Sequence, residues 1–110
     1  MKNTILSFFV SIVFITVTVL ADESLPPGVI ISKSPDFATT YVGSPSITIL
    51  PDGTYVASHD WFGKSPLGNL TQIFVSKDKG TTWNQTAQFP FHWANLFVHK
   101  GDLYLLGVIK

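Results

Sequence analysis

The octet "SKDKGTTW", Ser76 to Trp83, sets an aspartate between two lysines, then a glycine, two threonines and a tryptophan. Each residue type has a turn-building use. Asp carboxylates accept hydrogen bonds from backbone N–H groups a residue or two along, which fixes a turn. Gly80 supplies the positive φ that a tight reversal needs. A threonine hydroxyl satisfies a further backbone group, and Trp83 offers an apolar face to clamp the hairpin onto a sheet. Asp78 therefore reads as a turn-former rather than a catalyst.

Working outward, the flanking sequence is dense in strand signals and shows no helical period. Six strands are expected: 46–50, 54–59, 70–76, 82–88, 95–99 and 103–109. Alternation is clear at Ile47/Ile49 and Ile73/Val75, while elsewhere both faces read as buried, as in a sheet covered on both sides. "DWFGKSPLGN" reads as a loop at 60–69, "FPFHWA" as a link at 89–94, and residues 22–44 as an irregular lead-in. Strand, Gly-Asp turn, strand occurs at 46–59 and again at 95–109, a period of about 49 residues. Four-strand repeats of roughly 40–50 residues are the pattern of β-propeller blades. The fold class expected is all-β, with one blade over 45–88 and the start of a second over 95–110. A sheet opened at Ile109-Lys110 needs neighbours to cover it, so the reading is an N-terminal fragment of a longer protein.

Composition narrows the function. The 110 residues carry seven lysines, no arginine and seven acids, with no cysteine. That balance argues against nucleic-acid binding, and the missing cysteines exclude disulfides, thiolate metal sites and cysteine nucleophiles. Lys2 precedes an uncharged run from Ile5 to Leu20, followed by Ala21-Asp22. This pattern predicts a secretory signal peptide over 1–21, cleaved after Ala21, with no stable membrane anchor. Asn69-Leu70-Thr71 and Asn84-Gln85-Thr86 are glycosylation sequons. His59, His92 and His99 match no metal-ligand spacing, and neither a metal nor another cofactor is expected.

The defined positions of the octet, Ser76, Asp78, Gly80, Thr82 and Trp83, resemble the Asp-box (BNR repeat) of the sialidase, or neuraminidase, superfamily. "SPSITILPDGTYVASHDWFG" before it and "FHWANLFVHKGDLYLLGVIK" after it are similar to the same family, so the resemblance spans about 43–110. It implies a six-bladed propeller, of which this chain is about a blade and a half, and an exo-glycosidase that hydrolyses terminal sialic acids from glycoconjugates. The family uses three arginines to hold the substrate carboxylate, an Asp acid/base, and a Tyr nucleophile paired with a Glu. Its first arginine stands two residues before the proline that opens the first strand. Here that proline is Pro45, and Gly43 takes the arginine's place. Asp60 matches the acid/base by placement, the plain alternative being a loop Asp that caps a turn. Tyr41 and Tyr55 lack a paired Glu, since Glu23 is the one glutamate of the chain.

In a meander, alternate connections share a side. The turns at 51–53, 77–81 and 100–102 should therefore lie together, away from the connections at 60–69 and 89–94. The second group gathers His59, Asp60, Trp61, His92 and Trp93, with aromatic rings suited to stacking on sugars. Glycans, sialylated or otherwise, are the expected partners. A non-catalytic propeller that binds a glycan or a protein through this loop face is the rival to the hydrolase.

Overall fold

The computed structural model describes residues 28–64, 66 and 68–109; the signal peptide expected over 1–21 lies outside them. The described chain forms strands β1 (Thr40–Ile49), β2 (Tyr55–Gly63), β3 (Leu70–Ser76), β4 (Asn84–Phe89), β5 (Phe91–His99) and β6 (Asp102–Ile109), and no helix. β1 to β4 make a four-stranded antiparallel sheet in sequence order, and β5 pairs with β6 in a second sheet. Val, Ile, Thr, Tyr and Phe fill these segments, side chains that suit a pleated and partly buried surface.

The short turns share one chemistry. At the first, the Leu50 N–H donates to the Thr54 carbonyl, the Gly53 N–H donates to the Leu50 carbonyl, and Gly53 has φ 85°. This is the three-residue hairpin with a left-handed residue at its end. Between β5 and β6 the loop is Lys100-Gly101, with φ 52° and 91°. Positive φ at both central residues matches the right-handed twist of the flanking strands.

Three strands begin earlier or run later than their local patterns indicate. β1 starts at Thr40, inside the expected lead-in, and its first residues pair with the end of β2: Thr40 with Gly63, Gly43 with Asp60. Residues 60–63 are thereby strand, not loop, because β1 pairs with all four and Leu70–Thr71 pair with Asp60 and Trp61 on the other side. β5 likewise starts at Phe91, where a link was expected, so Pro90 alone joins the two sheets.

Each sheet's first strand is bulged. In β1, Ser44 (φ 47°) and Pro45 stand opposite the single residue His59; in β5, Trp93 (φ 54°) and Ala94 stand opposite Gly107. Pro45 cannot donate to a ladder, and a bulge in the edge strand β1 is where the sheet tolerates it. A third irregularity places Thr86 of β4 as an extra residue against β3.

The second sheet covers one face of the first. Val56, Ile73 and Leu96 form the buried cluster between them, with Leu50, Val75, Ala87 and Leu105 packed around it. Burying one such aliphatic side chain contributes about 1.5–3 kcal/mol. β5 lies against β1, β2 and β3, while no described strand packs on the opposite face of the first sheet. That face carries exposed Val42, Ile47 and Ile49. The residues of the central strands β2 and β3 are nonetheless mostly buried, as expected, whereas those of the edges β1 and β4 are mostly exposed.

Candidate functional site

At one end of the sheets lies the octet turn. The Asp78 carboxylate accepts from the Thr82 N–H (2.8 Å), the Thr82 hydroxyl (2.6 Å) and the Ser76 hydroxyl (2.7 Å). The Ser76 oxygen also accepts from the Gly80 N–H at 2.8 Å, and the Trp83 indole N–H donates to the Gly80 carbonyl at 3.0 Å. Hydrogen bonds to the charged form, those of Thr82 foremost and that of Ser76 after them, hold the Asp78 carboxyl down at about 2. The carboxylate reaches four residues along, farther than the short Asx turn that the octet by itself indicates. Lys79 (φ 59°) joins Gly80 (φ 89°) in the left-handed region to bring Thr82 back to it.

At the other end, strand register gathers the start of β1, the end of β2, the start of β3, the end of β4 and the start of β5. Asp60 is completely buried here. Its Oδ1 accepts from the Thr71 hydroxyl at 2.6 Å, and its Oδ2 from the Ala94 N–H at 3.2 Å. The Thr71 hydroxyl also lies 3.1 Å from the Phe91 carbonyl. Asp60 thus ties β2 to β3 within its own sheet and to the bulge of β5 in the other. Ser46 makes a parallel tie, its hydroxyl accepting from the Leu96 N–H at 3.0 Å.

The residues expected to act with Asp60 do not converge on its carboxylate. Successive side chains of a strand point to opposite faces. His59 and Trp61 therefore flank Asp60 in sequence but lie on the face away from the second sheet. There the His59 ring stacks on Phe74 (centroids 5.3 Å, 25°) and meets Trp61 edge-on (4.7 Å, 83°). It is buried with neither ring nitrogen bonded. Burial, outweighing the proximity of Asp60, pushes its pKa below the usual histidine value. On the same face the Gln85 side-chain amide donates to the Gln72 side-chain carbonyl.

His92 and Trp93 are separated by the β5 bulge. His92 is buried with Nδ1 unbonded, whereas Trp93 is 64% exposed. A bulge re-aims one side chain of a strand, and here it presents an indole to solvent while Ala94 turns its N–H to Asp60. Two further aromatic pairs frame this end: Tyr41 stacked with Phe62 (6.3 Å, 8°) and Phe89 with Phe91 (5.7 Å, 15°). His99 lies at the opposite end, beside the β5–β6 turn. Among the described residues no three His, Asp or Glu side chains group as a metal site.

Gly43 pairs directly with Asp60 across β1 and β2. A Cβ at Gly43 would stand 2.7 Å from Cε2 and 3.0 Å from Cδ2 of Phe62. The Phe62 ring fills the space that any side chain at 43 would enter. Sequence reading missed Thr71 and Ser46 as inter-sheet ties. Thr71 was visible only as the last residue of a sequon, and nothing in the sequence marked Ser46. Comparison with protein-family models, with curated proteins and with solved structures found no match.

Proposed function

We propose that residues 40–109 are the first blade and a half of a secreted, sialidase-like β-propeller, and that this part of it binds glycan without cleaving it. Support for the architecture comes from two sheets stacked face to face, the first a four-stranded meander with the octet between its third and fourth strands. The two bulges with left-handed first residues, Ser44 and Trp93, stand about 49 positions apart, the spacing of the sequence repeat.

One observation carries the non-hydrolytic reading: the position opposite Asp60 is a glycine whose side-chain space is taken by Phe62. A guanidinium at that position would need the ring to move, and lysine, the sole strong cation of this chain, grips a carboxylate less well. Sugar contact would fall to the aromatic rings at this end, Trp93 foremost because it is the most exposed of the three tryptophans. The hydrolase reading keeps a foothold in Asp60, which matches the family acid/base by its placement near the end of the second strand. In that reading later parts of a longer protein supply the arginines and the Tyr–Glu pair.

The test combines two measurements on the 110-residue chain. Titration with sialyllactose, and with neutral lactose as control, should change tryptophan fluorescence saturably, and Trp93→Ala should abolish the change. A fluorogenic sialoside should remain intact. Turnover of that substrate would overturn the non-hydrolytic reading, and a flat titration with both sugars would overturn glycan binding.

A further inference from the structure

The fold treats the two glycosylation sequons in opposite ways. At Asn69-Leu70-Thr71 the threonine is completely buried. Its hydroxyl donates to Asp60 at 2.6 Å and lies 3.1 Å from the Phe91 carbonyl, inside the seam between the sheets. Asn69 is half-buried in left-handed backbone (φ 67°), and its N–H donates to the Trp61 carbonyl at 2.8 Å. Both residue types have a structural use here. Asparagine suits the left-handed turn, and threonine ties β3 to β2.

At Asn84-Gln85-Thr86 all three residues are exposed. They open β4, the edge strand of the first sheet, and the chain leaves that strand at Pro90 to enter the other sheet. Thr86 is the extra residue of the β3–β4 bulge. Its hydroxyl stands 3.5 Å from the Ile73 carbonyl, outside the usual range of an O–H···O bond, so it is free to engage another group. Asn84 and Thr86 line one cleft of about 300 Å³, together with Val75, Lys77, Asp78 and Thr82. The asparagine amide and the threonine hydroxyl therefore share a side of the strand. An enzyme that reads the sequon needs access to both groups.

We propose that Asn84 is a site of N-linked glycosylation and that Asn69 is not, a proposal that rests on the secreted reading above. In the transfer, Asn84 Nδ2 attacks C1 of the first sugar of an oligosaccharide carried on a lipid pyrophosphate. The N–C1 bond forms and the C1–O bond to the pyrophosphate breaks. The lipid pyrophosphate departs, and the amide proton passes to a base of the transferase. The first sugar then lies along the cleft, where Lys77 and Thr82 offer polar contacts and Val75 an apolar one. It stands at the octet end of the sheets, away from Asp60 and Trp93. Order of synthesis favours the same choice. β1, β2 and β3 all precede Asn84, and three strands with an apolar face suffice for a stable sheet. Hairpins close in about 1–10 μs while synthesis adds about 5–20 residues per second, so Thr71 is withdrawn while Thr86 is still open.

The 110-residue chain, expressed in cells with a eukaryotic secretory pathway and collected from the medium, provides the test. Peptide masses are read before and after a peptide-N-glycosidase, which turns each glycosylated asparagine into aspartate. A single glycan on Asn84 is expected, with Asn69 unmodified. Asn84→Gln and Thr86→Ala, both at exposed positions, should remove it completely, whereas Thr86→Ser, which keeps the hydroxyl, should retain it. Asn69→Gln should leave it unchanged. A chain secreted without sugar on Asn84, or with sugar on Asn69, would overturn the proposal. A chain held in the cytosol would overturn the secreted reading, and the proposal with it. Trp93→Ala should be modified as fully as the unaltered chain, so this result and glycan binding fail separately.

Discussion

Asp60 and Asp78 make similar bonds in opposite settings. Each carboxylate accepts a threonine hydroxyl at 2.6 Å and a backbone N–H. Asp78 finds all its partners within four residues, at an exposed turn. Asp60 finds Thr71 and Ala94, eleven and thirty-four residues away, in the buried seam between two sheets. The first closes a turn that its own octet already encodes, and the second joins parts of the chain that meet only on folding.

The largest effect should come from removing the long-range tie. Asp60→Ala leaves the buried Ala94 N–H without its acceptor, while the Thr71 hydroxyl can still donate to the Phe91 carbonyl, at a cost of about 2 kcal/mol in urea unfolding. Asp78→Ala should cost clearly less by the same measurement, because water can replace its partners at an exposed turn. An equal loss for the two variants would erase the contrast. The turn is also separable by pH. The Asp78 carboxyl has a folded pKa of about 2, below its ordinary 3.8, so its stabilisation is present above pH 4 and is lost as pH falls from there through about 2. In Asp78→Asn that part of the acid transition should be missing.

His59 acts in a higher range. Its folded pKa is depressed, so below about pH 6.5 the unfolded chain takes up a proton that the folded chain refuses. Stability should therefore fall as pH drops through that value and level off below the folded pKa. His59→Phe, which keeps the stack on Phe74 and removes two unbonded nitrogens, should flatten this slope and add about 1 kcal/mol at pH 5.5. The smallest effect on stability is expected at Trp93. Its exposed indole can be cut to alanine with a change within about 0.5 kcal/mol, while the fluorescence response to sialyllactose disappears.

The division between what the sequence carried and what folding added follows the reach of each interaction. Alternating Ile47/Ile49 and Ile73/Val75, the Gly-containing turns and the octet with its turn-forming aspartate are local signals, and they located the strands and the two ends of the sheets. The ends of β2 and the start of β5 were read as loop because Asp60, Trp61, His92 and Trp93 have polar or aromatic neighbours and flanking Gly and Pro. Their strand character depends on pairing with Thr40–Gly43 and with β6, which a window along the chain does not contain. Nor does residue order show that His59 and Asp60 face opposite sides of one strand, or that Phe62 closes over Gly43. Sequence alone determined an all-β chain of short hairpins, with Asp78 in a turn and no arginine to grip a carboxylate. Tertiary structure decided that Asp60 is an inter-sheet tie and that Trp93 is turned outward by a bulge. Those outcomes arise when distant strands meet, bury their polar groups and must satisfy them from each other.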